Sequence, residues 1–382
     1  MEQTVKKLNG GIIVAAVIAV AGVCVWIYQL SNGLGITGMS NANSWGLYIT
    51  CFMFFVGLSA GGLIVASSAG VFHIAEYKKV ALPAVIVSTA AIVVAAMFVL
   101  VDLGGIQRVY LLFTSPNFTS PLLWDVIIIT CYLVIDILYL VWLSKGDERK
   151  TEILSRVALP VAILVHSVTA WIFGLQIAKE GWYTAILAPI FVASALDSGM
   201  ALLLCALAWL RKRGIFDVEQ KLFSNLAGLL CVFIAVDAFF IGCEVLTMAY
   251  PGASGAEALA IMIGGATAPY FWIEVVCGLL IPFLILVFEK NREKTGLVVL
   301  ASVLVIIGVF CKRAWLLLTS FATFNVAGAI TTGTKAAQAG GDAMWATFGS
   351  YAPTLPEVGI ALGVVAVGFV IFLFLAKKLL VK

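Results

Sequence analysis

The sequence predicts an all-α integral membrane protein with ten transmembrane helices. Hydrophobic residues make up 63% of the chain and charged residues only 11%, which leaves too little polar surface for a water-soluble fold. Apolar runs of about 20 residues or more recur along the chain, the length that a helix needs to cross a hydrocarbon core of about 30 Å. The loops between these runs place most of their positive charge on one side.

Ten runs qualify as spans, and we expect the whole chain, 1–382, to form a single membrane domain. Lys6 and Lys7 precede the first run, as in a signal peptide, but the run is too long and lacks a small-x-small cleavage site. We therefore interpret it as a retained helix. The predicted spans are residues 11–30, 45–72, 82–103, 121–143, 157–178, 184–210, 222–248, 268–288, 295–317 and 357–376.

The basic residues predict the orientation. Most of the 23 lysines and arginines fall in loops on the side that also holds both termini. The opposite side receives Arg108, Lys179, Lys335 and the pair Lys312–Arg313. The positive-inside rule then places both termini in the cytoplasm of a multi-pass protein of the bacterial cytoplasmic (inner) membrane, surrounded by lipid. The net charge of +3 is accounted for by the cytoplasmic loops and implies no nucleic-acid partner.

The cysteines and histidines favour a chain without a redox metal. All eight cysteines lie in apolar runs and no two form a C-x-x-C pair, so neither an iron–sulfur cluster nor a c-type haem has its ligand spacing. Only His73 and His166 are available for haem b, which leaves a bis-histidine site open. We expect no metal, no haem and no iron–sulfur cluster in this chain.

A short internal repeat predicts two bundles. Phe98–Asp102 recurs as Phe233–Asp237, and Pro121–Asp125 recurs as Pro269–Glu274, each pair four spans apart. Matched spans therefore run in the same direction, as expected for two four-helix bundles. The predicted bundles are residues 45–178 and 184–317, with the spans 11–30 and 357–376 flanking them.

His166 and Asp197 are the first candidate site. A charged residue within a span costs at least about 2.5 kcal/mol on insertion scales, so it needs a partner, a cavity or a function. The two residues lie on consecutive antiparallel spans, with His166 about nine residues from the expected cytoplasmic end of its helix. Together they would bind and deprotonate a weak acid such as a quinol. The alternative is a buried polar pair that fixes the helix register.

Three more candidates lie near the outer ends of the third and fourth spans. Asp102, Arg108 and Asp125 form either an interfacial ion-pair network or the mouth of a pocket that conducts protons outward. Asp136, deeper in the fourth span, is then a relay toward the cytoplasm.

The second half of the chain offers another acidic series. Asp237, Glu244 and Glu274 lie within spans and would form a second proton relay. Lys312 and Arg313 lie within reach of the same outer half, so mutual neutralisation of these charges is the simpler alternative.

The motifs that carry these residues resemble a known family. The run Asp102–Arg108 (DLGGIQR), the run Ser115–Trp124 (SPNFTSPLLW), Trp45–Gly61, His166–Gln176 and Ser194–Gly199 are similar to the signatures of the NrfD/polysulfide-reductase membrane subunits. The resemblance covers about residues 40–320, and ten spans match the longer branch of that family. In one departure, Gly105 stands where the family has an arginine.

The resemblance implies a haem-free membrane subunit that carries a quinone site but not the catalytic centre of its complex. Menaquinone or ubiquinone would bind in the first bundle near the outer face, at His166 and Asp197, with Asp102, Arg108 and Asp125 nearby. A ferredoxin-like iron–sulfur subunit would dock on the non-cytoplasmic face, against residues 103–120 and 318–356, and a molybdopterin or multihaem cytochrome subunit would complete the complex. The competing class is an ion-coupled secondary transporter, which would have broken helices in matched halves.

Overall fold

The chain folds into ten long helices, as the apolar runs predict. The computed structural model describes residues 2–381 except 41, 73, 180, 252–254 and 323–350, and the side chains of 2–7 are outside that description. The ten helices are long and apolar enough to span a membrane, and the described residues contain no strand. The prediction of an all-α integral membrane protein is confirmed. The helices are α1 Glu2–Asn32, α2 Leu47–Val71, α3 Ala81–Asp102, α4 Pro121–Lys145, α5 Glu148–Gly174, α6 Leu187–Lys212, α7 Gln220–Ala249, α8 Ala268–Leu286, α9 Thr295–Ala322 and α10 Leu355–Leu379.

Several helix ends differ from the predicted spans, among them the start of α1 at Glu2, the start of α5 and the end of α9. α5 begins at Glu148 and not at 157, because Asp147 caps it by accepting a hydrogen bond from the backbone N–H of Lys150 at 3.1 Å. That bond holds the pKa of the Asp147 carboxyl below its usual range. Gly146 adopts a left-handed conformation, with φ of 71°, which ends α4 and makes the turn tight. α9 continues to Ala322, so residues 318–322 belong to a helix and not to the predicted loop.

Helix contacts divide the chain into two groups. α2 packs against α3 and α5, and α4 completes this group by contacting α3 and α5. In the same way, α6 packs against α7 and α9, and α8 contacts α7 and α9. α1 pairs with α10, and α10 lies against α3. These contacts support the proposed bundles at 45–178 and 184–317 with flanking helices, which stays a proposal.

Both ends of the described chain lie on one face, since ten spans return the chain to the side where it began. We call this the terminal face. The opposite end, which carries the described residues of the segments 33–46, 103–120, 175–186 and 250–267, is the loop face.

The two helix groups meet at a pair of glycines. A Cβ on Gly61 of α2 would overlap the backbone of Gly199 of α6, and a Cβ on Gly199 would overlap Gly61. On the adjacent face, a Cβ on Gly62 would overlap the carbonyl of Ala84 in α3. Small residues let helix backbones approach closely, and close packing is the main attraction between helices in lipid. This contact brings α5 against α6 and α9 against α2.

α8 departs from regular α-helical geometry. Residues Ile273–Leu280 form a π-helical stretch, flanked by α-helical turns at Ala268–Trp272 and Ile281–Leu286. Gly278 within this stretch contacts Gly308 of α9 backbone to backbone. Such π-helical stretches often occur at functional sites, and Glu274 lies in this one.

We predict that Gly61→Ala destabilises the protein, because the added methyl group forces α2 and α6 apart. Overpacking of this kind costs about 1–3 kcal/mol, which should appear as a lower thermal midpoint of the detergent-solubilised protein. Gly242→Ala is the matched control, since a Cβ there has no atom within 4 Å. Equal midpoints for the two variants would contradict the close-contact interpretation.

Candidate functional site

Buried ionisable residues concentrate in the half of the bundle next to the loop face. Because α5 begins at Glu148, His166 lies about five turns from the terminal-face end of the helix and about two turns from Gly174. The predicted position of His166, about nine residues from the cytoplasmic end, is therefore wrong. Asp197 lies about three turns after Leu187, the loop-face end of α6. The two residues still have comparable depth.

Arg313 lies beside His166 at the junction of the two groups. His166 is fully buried, its Nε2 has no hydrogen-bond partner, and its charged neighbour is Arg313 of α9. Arg313 donates from Nη2 to the Ser194 hydroxyl at 2.6 Å, and its guanidinium lies 3.9 Å from the ring centroid of Phe191. The Nε and Nη1 atoms of Arg313 have no partner. A buried guanidinium with free donors is available to an acceptor that the protein does not supply.

Asp197 faces the second group. Its carboxylate oxygens receive no hydrogen bond of standard geometry, although they lie close to the Asp237 carboxylate of α7 and to the Ser198 backbone N–H, and the neighbouring cation is Lys312 of α9. Within the described part of the chain, His166 and Asp197 are therefore not hydrogen-bonded to each other. Arg313 is a charged neighbour of both, so the structure connects them through its guanidinium.

Lys312 forms ion pairs with two buried carboxylates inside the second helix group. Its Nζ lies 2.7 Å from Asp237 Oδ1, 2.9 Å from Asp237 Oδ2 and 3.5 Å from Glu274 Oε1. The indole of Trp315 donates a hydrogen bond to the other carboxylate oxygen of Glu274. The neutralisation that the sequence offered as an alternative is thus present for Asp237 and Glu274, and α7, α8 and α9 each contribute one member.

Glu244 stands apart from these ion pairs. It accepts a hydrogen bond from the Thr184 hydroxyl at 3.2 Å and lines a narrow cavity of about 20 Å³ together with Lys312. A cavity of this size holds about one water molecule. Because Gly181 and Met262 also line it, the cavity extends from Lys312 toward the loop face.

The three residues predicted at the outer ends of α3 and α4 do not form one cluster. Asp125 is buried and accepts from the Thr169 hydroxyl of α5 at 2.6 Å. Arg108 is exposed and lines a surface cleft of about 470 Å³ with Asn117. Among the described residues no ion pair joins Arg108 to Asp102 or Asp125, so the predicted ion-pair network is not formed.

Asp102 instead belongs to a polar cluster that includes both flanking helices. Its neighbours are Tyr48 of α2 and Glu357 of α10, and its Oδ1 has no hydrogen-bond partner. The Tyr48 hydroxyl donates to Gln29 of α1 at 2.6 Å. Glu357 is fully buried and accepts from the Tyr351 hydroxyl at 2.7 Å.

The sequence interpretation missed Gln29, Tyr48 and Glu357 as neighbours of Asp102. The one sequence signal was the capping box of Thr354 and Glu357, which opens α10. That signal predicts a helix start but not a contact with Asp102.

Asp136 lies in the interior of the first group. It accepts from the Thr89 hydroxyl at 2.6 Å, and its Oδ1 has no partner. One turn earlier on α4, the Tyr132 hydroxyl accepts from Ser88 at 3.0 Å and donates to the Ser59 carbonyl at 3.1 Å. These hydroxyls extend a polar series from the middle of α4 into α2 and α3.

Metal ligands are not gathered in the part of the chain that the structure describes. No group of three His, Cys, Asp or Glu side chains there has the geometry to hold a metal ion. His73 lies outside the described residues, so the bis-histidine alternative is not tested.

The fold and these contacts define a polytopic all-α membrane protein whose buried ionisable side chains are concentrated toward the loop face. The chain belongs to the NrfD family: the family described as "Polysulphide reductase, NrfD" matches residues 35–325. The resemblance inferred from the motifs is therefore confirmed.

Three curated relatives cover most of the chain. The chain is 35% identical over 390 residues to a putative dimethyl sulfoxide reductase membrane subunit of Halobacterium salinarum, covering 95% of this chain and 89% of the relative. It is 29% identical to an Hdr-like menaquinol oxidoreductase integral membrane subunit of Archaeoglobus fulgidus, covering 83% and 82%. It is 27% identical to a selenate reductase subunit of Mesobacillus selenatarsenatis, covering 80% of each.

We predict that Lys312→Met strongly destabilises the protein, because it leaves Asp237 and Glu274 buried without their cation. Removing one partner of a buried ion pair costs about 3–5 kcal/mol, measurable as a lower thermal midpoint. Arg156→Met is the matched control, since the Arg156–Glu152 pair is largely exposed and such pairs contribute little. Adding Asp237→Asn to Lys312→Met should recover part of the loss. A Lys312→Met variant as stable as the control would refute the ion-pair role.

Proposed function

We propose that this chain is the quinone-binding membrane subunit of a respiratory oxidoreductase complex, and that it exchanges electrons between the quinone pool and a docked iron–sulfur subunit. The observation that carries the proposal is the set of buried polar atoms without partners at the junction of the two helix groups: His166 Nε2, both oxygens of Asp197, and Arg313 Nε and Nη1. Unpaired buried polar groups are costly, so each needs an explanation. A ligand whose oxygens can both accept and donate hydrogen bonds would provide partners for His166, Asp197 and Arg313.

The chemistry of these side chains fits a quinone. A bound quinone would supply two-electron redox chemistry coupled to two protons. Arg313 offers N–H donors to a ring oxygen, His166 can hold or release a proton at Nε2, and the Asp197 carboxylate can accept one. Asp102, Arg108 and Asp125 lie closer to the loop face and would form the approach to this site.

Protons would leave or enter through two polar series. Toward the loop face, Asp197 neighbours Asp237 and Lys312, which pairs with Glu274 and shares a cavity with Glu244. Toward the terminal face, Asp136 with Thr89 provides the polar groups in the middle of the first helix group. We assign Asp136, Asp237, Glu244 and Glu274 to proton transfer.

The relatives support this class of complex. All three have names of membrane or reductase subunits, and one name specifies menaquinol, which favours menaquinone over ubiquinone here. We propose a ferredoxin-like iron–sulfur subunit on the loop face, a molybdopterin or multihaem cytochrome subunit in the same complex, and no haem or cluster in this chain. The positive-inside rule then places both termini in the cytoplasm and the chain in the cytoplasmic membrane of a bacterium.

The secondary-transporter alternative has less support. It requires helices broken at matched positions of the two halves. α8 has a π-helical stretch at Ile273–Leu280, but its counterpart α4 is a regular helix from Pro121 to Lys145. The described halves therefore do not match in this respect.

We predict that His166→Ala and Asp197→Asn each lower the quinol oxidation rate of the intact complex. If the side chains act as general acid–base groups, the loss should be about 10²–10⁴-fold, measured as quinol-dependent dye reduction. Asp217→Asn is the control, because this carboxylate is exposed in a loop at the terminal face.

Complex assembly, checked by native gel, separates a functional role from a structural one. Near-normal turnover in assembled His166→Ala and Asp197→Asn complexes would refute the proposed roles. Loss of assembly with normal turnover in the surviving complex would support the alternative of a polar pair that fixes helix packing.

We predict that the iron–sulfur partner crosslinks to the loop face. A photoreactive residue at Phe118, which is 73% exposed in the loop 103–120, should capture the partner, whereas one at Arg149 on the terminal face should not. Most of the other expected docking segment, 318–356, lies outside the described residues, since the structure describes only 318–322 and 351–356 of it. Mass spectrometry of the crosslinked product identifies the partner, and capture at Arg149 instead would overturn the docking assignment.

A further inference from the structure

A slot between α1, α3 and α10 is not used by the site described above. It has a volume of about 100 Å³ and is lined mainly by Val23, Met97, Leu100, Val364 and Val367. It lies outside both helix groups, on the side of α3 that faces the flanking pair. One wall of the slot is the contact between α1 and α10, where the backbones of Gly22 and Gly363 touch.

One hydrogen-bond donor lies in this apolar lining. Trp26 of α1 lines the slot, and its indole N–H is buried without a hydrogen-bond partner. It is the one N–H or O–H group among the described side chains that line the slot. The hydrocarbon tail of a lipid cannot accept this hydrogen bond, whereas a ring carbonyl can. The slot therefore suits a molecule that joins a carbonyl-bearing head to a long apolar tail.

The inner end of the slot adjoins the polar cluster of Asp102. Val101 lines the slot, and its carbonyl accepts a hydrogen bond from Gln29 at 3.0 Å. Gln29 in turn accepts from Tyr48, whose neighbours include Asp102. Asp102, the next residue after Val101, has an unpartnered Oδ1. A ligand that moves along the slot past Val101 thus meets the Asp102 carboxyl, whose Oδ1 is buried, one residue beyond the wall of the slot.

The outer end opens toward lipid. α1 is the least buried of the ten helices, and Val23 and Ile27 on it are 42% and 57% exposed. Exposed apolar side chains of this kind lie against acyl chains in a bilayer. An isoprenoid tail can therefore extend from the slot into the membrane without crossing a polar region.

We propose that this slot is the portal through which an isoprenoid quinone enters from the membrane, and that its tail stays in the slot while its ring is bound. Trp26 donates a hydrogen bond to a ring carbonyl as the ring moves toward Asp102. This inference rests on the proposed quinone function and adds α1 and α10 to the binding machinery. Trp26 would bind the ring carbonyl, and the apolar residues of the slot would select for the tail.

The test narrows the slot and compares quinols with and without a tail. Leu100→Trp and Val367→Trp each add bulk inside it, and Leu362→Trp, at a position 59% exposed on α10, is the matched control. In the intact complex, both slot variants should raise the KM for a long-tailed menaquinol about tenfold or more. They should raise the KM for a tail-less naphthoquinol much less, because its small ring only passes through the slot, whereas the menaquinol tail stays in it. Trp26→Phe should raise the KM for both quinols, because it keeps an aromatic ring but removes the N–H that would donate to a ring carbonyl.

The outcomes separate this inference from the proposed function. If the wild-type complex oxidises both quinols but Val367→Trp has the KM of Leu362→Trp for the long-tailed one, the portal is refuted and the quinone function stands. A wild-type complex that oxidises neither quinol refutes the proposed function itself. A phospholipid retained at the slot by native mass spectrometry, with unchanged quinol kinetics in Trp26→Phe, also overturns the portal. Leu100→Trp and Val367→Trp are independent, so failure of one to assemble leaves the other as the test.

Discussion

The contact of Gly61 with Gly199 is the constraint on which the arrangement of this protein depends. It lets α2 and α6 approach backbone to backbone, and close packing of this kind is what holds helices together in lipid. As a result α5 lies against α6 and α9 against α2, which brings Arg313 beside His166. The junction of the helix groups, and not the interior of either, is where His166 and Arg313 meet.

Charge in the membrane interior is distributed unevenly between the two groups. In the second group Lys312 forms ion pairs with Asp237 and Glu274, which offsets much of the cost of burying them. In the first group Asp125 and Asp136 have hydroxyl side chains, and no cation, as their partners within the described part of the chain. Over the same residues the junction holds a cation, Arg313, without an ion pair. A site at that junction can therefore use ionisable side chains of both helix groups.

The ten spans could be predicted from the sequence because apolar runs of bilayer length report directly on burial in lipid. The start of α5 could not, since its first turns project beyond the apolar run and depend on a cap at Asp147. The neutralising role of Lys312 was foreseen as an alternative from depth alone. The proximity of His166 to Arg313 and of Asp102 to Glu357 was not foreseen, because each involves two residues far apart in the chain. The sequence pattern indicates how deep a residue lies along its helix. Which residues of other helices lie beside it depends on how the helices pack.

The π-helical stretch of α8 bears on how the two halves of the chain are related. In α4 the acidic residue follows its tryptophan directly, as Trp124 and Asp125, whereas in α8 Ile273 separates Trp272 from Glu274. One inserted residue would turn a regular helix by about 100° and carry the carboxyl away from the interior. The wider turns that begin at Ile273 absorb the insertion, so Glu274 is buried just as Asp125 is. The motif of α8 is thus one residue longer than that of α4, and its acid is still buried.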